Sequence, residues 1–155
     1  MKNFLEKLHN TRHNLKTYQV GLLQTKAYRK LNKYTQEALK PYQIGTVEWA
    51  LLGVLYDTQK PMSLKKIATK LDVEPPFVTE LIEKLKKQKL VSLEKSKQDG
   101  RKKLLSLSEK GQNLVPEIEK MLFRESKKWL SGLSISDVIN YIHVLNKISK
   151  YKDDK

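Results

Sequence analysis

The sequence predicts a mainly α-helical domain with one small antiparallel β-wing, a winged helix-turn-helix flanked by N- and C-terminal helices. Three observations predict it. Long segments near both ends of the 155-residue chain place apolar residues three and four positions apart, as one face of a helix requires. Two shorter helical patterns in the middle are separated by the turn Asp72-Val73-Glu74. Directly after them, Val91 and Leu93 alternate with Ser92 and Glu94, and Leu105 and Leu107 share a face further on, which describes two short strands joined by a turn.

Each element has its own local signals. From about Leu15 to Leu39 the residues Leu15, Tyr18, Leu22, Leu23, Tyr28 and Leu31 follow helical spacing on a basic background, and Pro41 ends the run. A second helix opens at Gly45-Thr46. Its Val47, Trp49, Ala50, Leu51, Leu52, Val54, Leu55 and Tyr56 are apolar nearly all round, so it belongs at the centre. Lys60-Pro61 breaks it, Ser63 is placed to cap the next helix, and Leu64, Ile67, Ala68 and Leu71 form that helix's stripe. Pro75-Pro76 pre-sets the first turn of a further helix, to about Lys87, because a proline's missing donor is harmless there. Val78, Leu81, Ile82 and Leu85 are its buried stripe, and Pro76, Thr79, Glu80, Glu83, Lys84 and Lys87 its outer face. The wing spans about Val91 to Leu107. Beyond Gly111, Leu114, Val115, Ile118, Met121, Leu122, Trp129 and Leu130 give another long stripe, with Pro116 in its first turns. A Ser134-Ile-Ser-Asp137 capping box then opens a last helix containing Ile139, Ile142, Leu145 and Ile148.

Composition narrows the function classes. Thirty-one Lys and Arg against 17 Asp and Glu give a net charge of +14, which implies an acidic partner, either nucleic acid or an anionic membrane surface. The charge is localised. Residues 1–40 hold nine bases and two acids, and residues 60–111 hold fourteen and seven, whereas the remainder is close to neutral. No run approaches the ~18 apolar residues of a spanning helix, and the opening Met1-Lys-Asn-Phe-Leu-Glu-Lys-Leu-His9 lacks the apolar core of a signal peptide, so a cytoplasmic protein is expected. Without cysteine there is no disulfide framework, thiolate zinc site or thiol switch. No Gly-rich phosphate loop, His-Glu metal motif or cysteine nucleophile is present, so the residues favour a non-enzyme with no cofactor.

The wing tip collects Lys95, Lys97, Arg101, Lys102 and Lys103 with only Asp99 opposing. Such a ribbon is either a solvated basic hairpin or an element whose self-repulsion a DNA groove would relieve by releasing condensed counterions. The apolar stripes of the terminal helices (about 10–40 and 112–151) exceed what a fifty-residue centre can cover. A second copy of the chain, held through Leu15, Tyr18, Leu22, Trp129, Leu130, Ile139, Ile142 and Leu145, would cover them and present two recognition helices to successive faces of a duplex.

One set of motifs carries a family resemblance. Tyr42-Gln-Ile-Gly-Thr-Val-Glu-Trp49, Leu71-Asp-Val-Glu-Pro-Pro-Phe-Val-Thr79, Leu90-Val91, and Asp99-Gly-Arg101 followed by Leu107-Ser-Glu-Lys-Gly111 together resemble the MarR family of bacterial transcription regulators over roughly residues 15–150. In that family an Asp-x-Arg at the wing tip precedes Leu-Thr-x-x-Gly; Asp99, Arg101, Leu107 and Gly111 match in register, with Ser108 standing for Thr. The resemblance implies a single MarR-type domain over 1–155, with its winged helix-turn-helix at about 45–111. It also implies a homodimer on a pseudo-palindromic operator, acting as a repressor and released by a small aromatic or lipophilic effector. Arg101 resembles the wing residue that enters the minor groove, with Asp99 as its orienting partner. Pro76, Thr79 and Glu80 fall where the family's recognition helix meets bases. Ser63, Lys65, Phe77, Lys84, Lys95, Lys97 and Lys102 complete the candidate DNA-binding set. The sequence departs from the family where Thr79-Glu80 stands in place of a frequent Ser-Arg pair and Leu93 in place of an early wing arginine. Glu80 could accept from a cytosine amino group, or Glu80 and Glu83 could pair with Lys84 and Lys87 on the helix surface.

Two smaller constellations have competing readings. Tyr34, Trp49, Tyr56 and Phe77 could line an effector pocket or be plain core. His9 and His13, four apart, could share a helix face and ligate a metal with His143, but histidines near a terminus are more often surface residues, so no metal site is expected. A nucleoid or RNA-binding module using the same charge without operator preference is the rival to a gene regulator.

Overall fold

A computed structural model describes residues 16–96, 99 and 103–151. Its elements are α1 (Thr17–Leu39), a 3-10 turn (Lys40–Tyr42), α2 (Thr46–Thr58), β1 (Met62–Ser63), α3 (Leu64–Leu71), α4 (Pro75–Lys87), β2 (Val91–Lys95), β3 (Lys103–Leu107), α5 (Glu109–Leu130) and α6 (Ile135–Ser149). The fold is thus mostly helical with a small antiparallel sheet, as the periodicities predict. The chain divides into two compact units between Val115 and Pro116.

In the first unit the helix boundaries sit where residue chemistry ends or starts a turn. Pro41 lies in the 3-10 turn that follows α1, and Gln43 beyond it is left-handed at φ 57. Glu48, the third residue of α2, accepts the Gly45 backbone N–H at 2.9 Å and so satisfies a donor that the helix start would leave orphaned. Ser63 accepts from the Lys66 N–H at 3.4 Å and caps α3 as expected. Pro75 and Pro76 form the first positions of α4. Leu39, Leu51, Leu52, Ile67, Val78, Leu85 and Leu105 are wholly buried, so α2, α3, α4 and the inner face of the sheet share one core. Trp49 and Tyr56, on α2, are only half-buried.

The sheet departs from the expected two-stranded ribbon. Its order is β1-β3-β2, with Met62 opposite Leu105 and Ser63 opposite Leu104. A two-residue strand has no periodicity to read, and Met62 is recruited because its side chain joins the core beside Leu105. Between β2 and β3 the register runs from Val91 opposite Leu107 to Lys95 opposite Lys103, and the Ser92 and Ser106 hydroxyls hydrogen-bond across it at 2.8 Å.

In the second unit α6 opens on the predicted capping box. The Ser134 hydroxyl accepts the Asp137 N–H at 3.1 Å, and Asp137 accepts from the Ser134 N–H at 2.9 Å. The Ser134 hydroxyl, which also donates to Asp137 Oδ2 at 2.7 Å, and then the Ser134 N–H hold the exposed Asp137 carboxyl below its ordinary pKa. Ile135, Ile139, Ile142, Leu145 and Ile148 are exposed along α6. No helix among the described residues is long and apolar enough to cross a membrane.

Candidate nucleic-acid interface

Helices α3 and α4 form the helix-turn-helix. Between them Asp72 adopts the left-handed conformation at φ 53, and the Val73 N–H reaches back to the Ala68 carbonyl at 3.1 Å, which closes α3 in a tight turn. Pro75 removes the next donor and α4 begins at once. Burial of Val78, Leu81, Ile82 and Leu85 turns the opposite face of α4 to solvent, so Pro76, Phe77, Thr79, Glu80, Glu83, Lys86 and Lys87 are all exposed. Phe77 on this face is 40% exposed. The face holds apolar groups at its N-terminal end, where a recognition helix meets base edges, and cations at the other.

Lysine and glutamate pairing differs from the surface pairs expected. Glu83 pairs with Lys86 at 3.0 Å, and Lys84 turns away to Glu48 at 2.5 Å. Glu48 is 7% exposed, the one buried charged residue among those described. Its burial alone would raise the carboxyl pKa. The Lys84 hydrogen bond and charge, with the backbone N–H groups of Glu48 and Gly45, outweigh that and hold it below the ordinary 4.5. Sequence reading passed over Glu48, although an acid three residues after the Gly45 cap of an apolar helix is a capping-box signal.

The wing follows α4 through a chain of bonds that explains the motif Leu107-Ser-Glu-Lys-Gly111. Ser108 donates its backbone N–H to the Leu90 carbonyl at 3.0 Å and its hydroxyl to the Lys89 carbonyl at 2.6 Å. That hydroxyl also accepts the Gly111 N–H at 3.1 Å, capping α5. Lys110 donates to the Gln88 carbonyl at 3.0 Å. Gly111 packs so close to the Leu90 carbonyl that a Cβ there would overlap it. The motif therefore clips the start of α5 to the junction of α4 with the wing.

At the turn end of the ribbon, Lys95 and Lys103 stand directly opposite each other and both are exposed. Like charges in that position oppose strand pairing, so the arrangement stores repulsion that a polyanion would relieve. Asp99 is half-buried, and its N–H donates to the Ser96 hydroxyl at 3.3 Å. Lys97, Arg101 and Lys102 lie outside the described residues, as do Leu15, His9 and His13. Ser63 and Lys65 open α3, on the same helix-turn-helix, with Lys65 exposed.

The candidate interface and pocket residues are more dispersed. Tyr18 is 65% exposed and Leu22 and Tyr34 are also exposed on α1; Ile139, Ile142 and Leu145 are exposed on α6, Leu130 is half-buried at the end of α5, and Trp129 precedes it. An open cleft of about 430 Å³ is lined by Gln36, Glu37, Lys40, Gln43, Ile44, Gly45 and Lys84. Tyr34, Trp49, Tyr56 and Phe77 are not among its walls. His143 is exposed on α6, and no group of three His, Cys, Asp or Glu among the described residues could hold a metal ion.

Comparison with known proteins meets this geometry. Residues 44–111 match the model of a winged helix DNA-binding domain. The HTH-type transcriptional regulator MgrA of Staphylococcus aureus is 26% identical over 137 residues, covering 88% of this chain and 90% of MgrA. Among solved structures, a MarR-family transcriptional regulator from Rhodococcus sp. RHA1 superposes with a TM-score of 0.79 at 16% identity, over 88% of this chain and 96% of that one. BpsR of Bordetella bronchiseptica, whose DNA binding is regulated by 6-hydroxynicotinic acid, superposes with a TM-score of 0.77 at 24% identity, over 86% of this chain and 95% of its own. These relatives are regulators, not enzymes.

Proposed function

We propose that the chain is a member of the MarR family of winged helix-turn-helix proteins and a cytoplasmic transcriptional regulator that binds a pseudo-palindromic DNA operator as a homodimer. The observation that carries the reading is the unbalanced wing beside an outward-facing α4, above all Lys95 opposite Lys103 at the ribbon's turn end. In this reading α4 enters a major groove with Pro76, Phe77, Thr79 and Glu80 toward the bases. Ser63 and Lys65 meet the flanking backbone, and Lys95, Lys97 and Lys102 follow phosphates along the wing. Arg101, oriented by Asp99, enters the neighbouring minor groove. The dimer forms through the apolar residues of the terminal helices, Leu15, Tyr18, Leu22, Trp129, Leu130, Ile139, Ile142 and Leu145. The exposure of Tyr18, Leu22, Ile139, Ile142 and Leu145 supports this, because side chains of that size rarely face water in such numbers on a finished surface. The regulator is a repressor released by a small aromatic or lipophilic effector held near Tyr34, Trp49, Tyr56 and Phe77; control of BpsR by a small aromatic acid supports that part.

Selection of binding sites from random duplexes tests the proposal. A regulator of this design returns a two-fold motif with half-sites about ten base pairs apart. Binding without sequence preference would replace it with a non-specific nucleic-acid-binding role. If the dimer neutralises about six to ten phosphates, its affinity falls by roughly 10³ to 10⁵ between 50 and 200 mM salt, and Arg101→Ala weakens specific and non-specific binding alike.

A further inference from the structure

We propose that Lys84 and Gln88 act inward, as positioning residues that strap the recognition helix to segment 43–48, with Glu48 as the buried anchor, and that Lys84 does not neutralise a DNA phosphate. This rests on the DNA-binding reading above and reassigns one of its candidate contacts.

The two oxygens of Glu48 divide their work. Oε2 accepts the Gly45 N–H at 2.9 Å and is committed to the start of α2, and Oε1 accepts the Lys84 ammonium at 2.5 Å. The Lys84 side chain is 51% exposed, but Glu48 is buried, and a buried carboxylate is costly without its cation; the constraint on Lys84 comes from its partner, which an exposed carboxylate would not impose. One helical turn further along α4, on the same face, the Gln88 side-chain amide donates to the Gln43 carbonyl at 2.9 Å. Two groups at i and i+4 on the recognition helix therefore reach one six-residue segment, between the end of α1 and the first turn of α2.

Apart from these straps and the hydrogen bonds that Ser108 and Lys110 make just beyond its C-terminal end, α4 is gripped by the apolar stripe Val78, Leu81, Ile82 and Leu85. Apolar burial resists separation but is non-directional, so it fixes the roll of a helix about its axis and its slide along that axis less firmly than hydrogen bonds do. Beside the straps lies an open cleft bounded by Gln36, Glu37, Lys40 and Ile44 among the described residues. Roll and slide decide which side chains of α4 reach base edges, and the straps set both.

The experiment measures operator affinity against salt for Glu48→Gln, Lys84→Met, their double variant and Gln88→Ala, at a temperature well below each variant's thermal transition. The strap predicts that each single variant loses at least about fivefold in affinity, within the usual range for coupling between sites. The slope of log affinity against log salt stays that of the unaltered protein. Glu48→Gln/Lys84→Met is no weaker than either single change, and Lys84→Arg, which keeps the pair, binds within about twofold of the unaltered chain, a small fraction of the ~1.4 kcal/mol that each tenfold represents. A phosphate-contacting Lys84 predicts the reverse. Lys84→Met would then flatten the slope by about 1, and Glu48→Gln, by freeing a cation, would leave affinity unchanged or raise it. Either result overturns the inference while leaving the regulator reading intact; an unaltered chain that binds no duplex removes both. Should Glu48→Gln fail to fold, Lys84→Met and Gln88→Ala decide the matter, since unchanged affinity in Gln88→Ala together with a flattened slope in Lys84→Met is incompatible with a strap.

Discussion

Replacing Gly111 by alanine should destabilise the protein, although the same exchange inside a helix ordinarily stabilises it. Gly111 lies in the first turn of α5, where alanine would be favoured over glycine by about 0.5–1 kcal/mol on backbone entropy alone. The added Cβ, however, would overlap the Leu90 carbonyl oxygen and approach Leu107 Cδ2 to 3.2 Å. An ordinary carbon-to-carbonyl-oxygen contact is about 3.3–3.6 Å, so α5 and the α4–wing junction must part. Backbone shifts of that kind cost roughly 1–3 kcal/mol. The Ser108 N–H that the same Leu90 oxygen accepts is stretched as well, at about 0.5–1.5 kcal/mol. The opposing terms leave a net loss of about 2 kcal/mol, and at roughly 2–4 °C per kcal/mol for a chain of this size the melting temperature falls by about 4–8 °C. The assay is thermal unfolding at fixed protomer concentration, with Gly53→Ala as the matched control. Nothing lies within 4 Å of the position a Cβ would take at Gly53, in the interior of α2, so that variant should gain about 0.5–1 kcal/mol. A Gly111→Ala protein that melts at or above the unaltered chain would refute the clip drawn between α5 and Leu90.

Further perturbations separate the other contributions. Leu105→Ala empties a wholly buried position at the middle of the three-stranded register and should cost about 2–5 kcal/mol, read as a lower urea midpoint with unchanged m value. Ser63→Ala removes the cap of α3 and should cost about 0.5–1 kcal/mol, less than a short capping bond because the hydroxyl stands 3.4 Å from the Lys66 N–H. Lys89 holds φ 61, so Lys89→Gly should raise stability by about 1 kcal/mol, and a loss would show that its side chain matters more than its backbone. The Glu48 carboxyl titrates below 4.5 when folded. Its contribution to stability is therefore fully present above that value and is lost as pH falls through the folded-state value; the acid limb of a stability profile should be shallower in Glu48→Gln.

Where local chemistry decides an element, the sequence was enough to find it. Pro41, Pro75-Pro76, Ser63 and the Ser134–Asp137 box mark helix ends because their signals act within four residues, and all fall where expected. The alternation of Val91 and Leu93, and of Leu105 and Leu107, located both wing strands for the same reason. β1 escaped notice because two residues carry no period, and only the approach of β3 makes a strand of Met62 and Ser63. The Glu48–Lys84 pair was equally hidden. Its members are 36 residues apart, while Glu80 and Glu83 offered Lys84 plausible neighbours on its own helix. Within the motif that suggested the family, Leu107, Ser108 and Gly111 serve packing and hydrogen bonding inside the domain, so that part of the resemblance was legible through structural needs.

Ser63 belongs at once to β1, paired with Leu104, and to the cap of α3. The outer part of β3 and the first turn of α3 are consequently joined at a single residue, and of the paired rungs between β2 and β3 on the tip side only Lys95–Lys103 lies beyond the third strand. A beam fixed at one end and free at the other bends mainly beyond its support. Bending at any rung up to Glu94–Leu104 therefore carries α3 with it, so a load on the wing is shared with the helix-turn-helix.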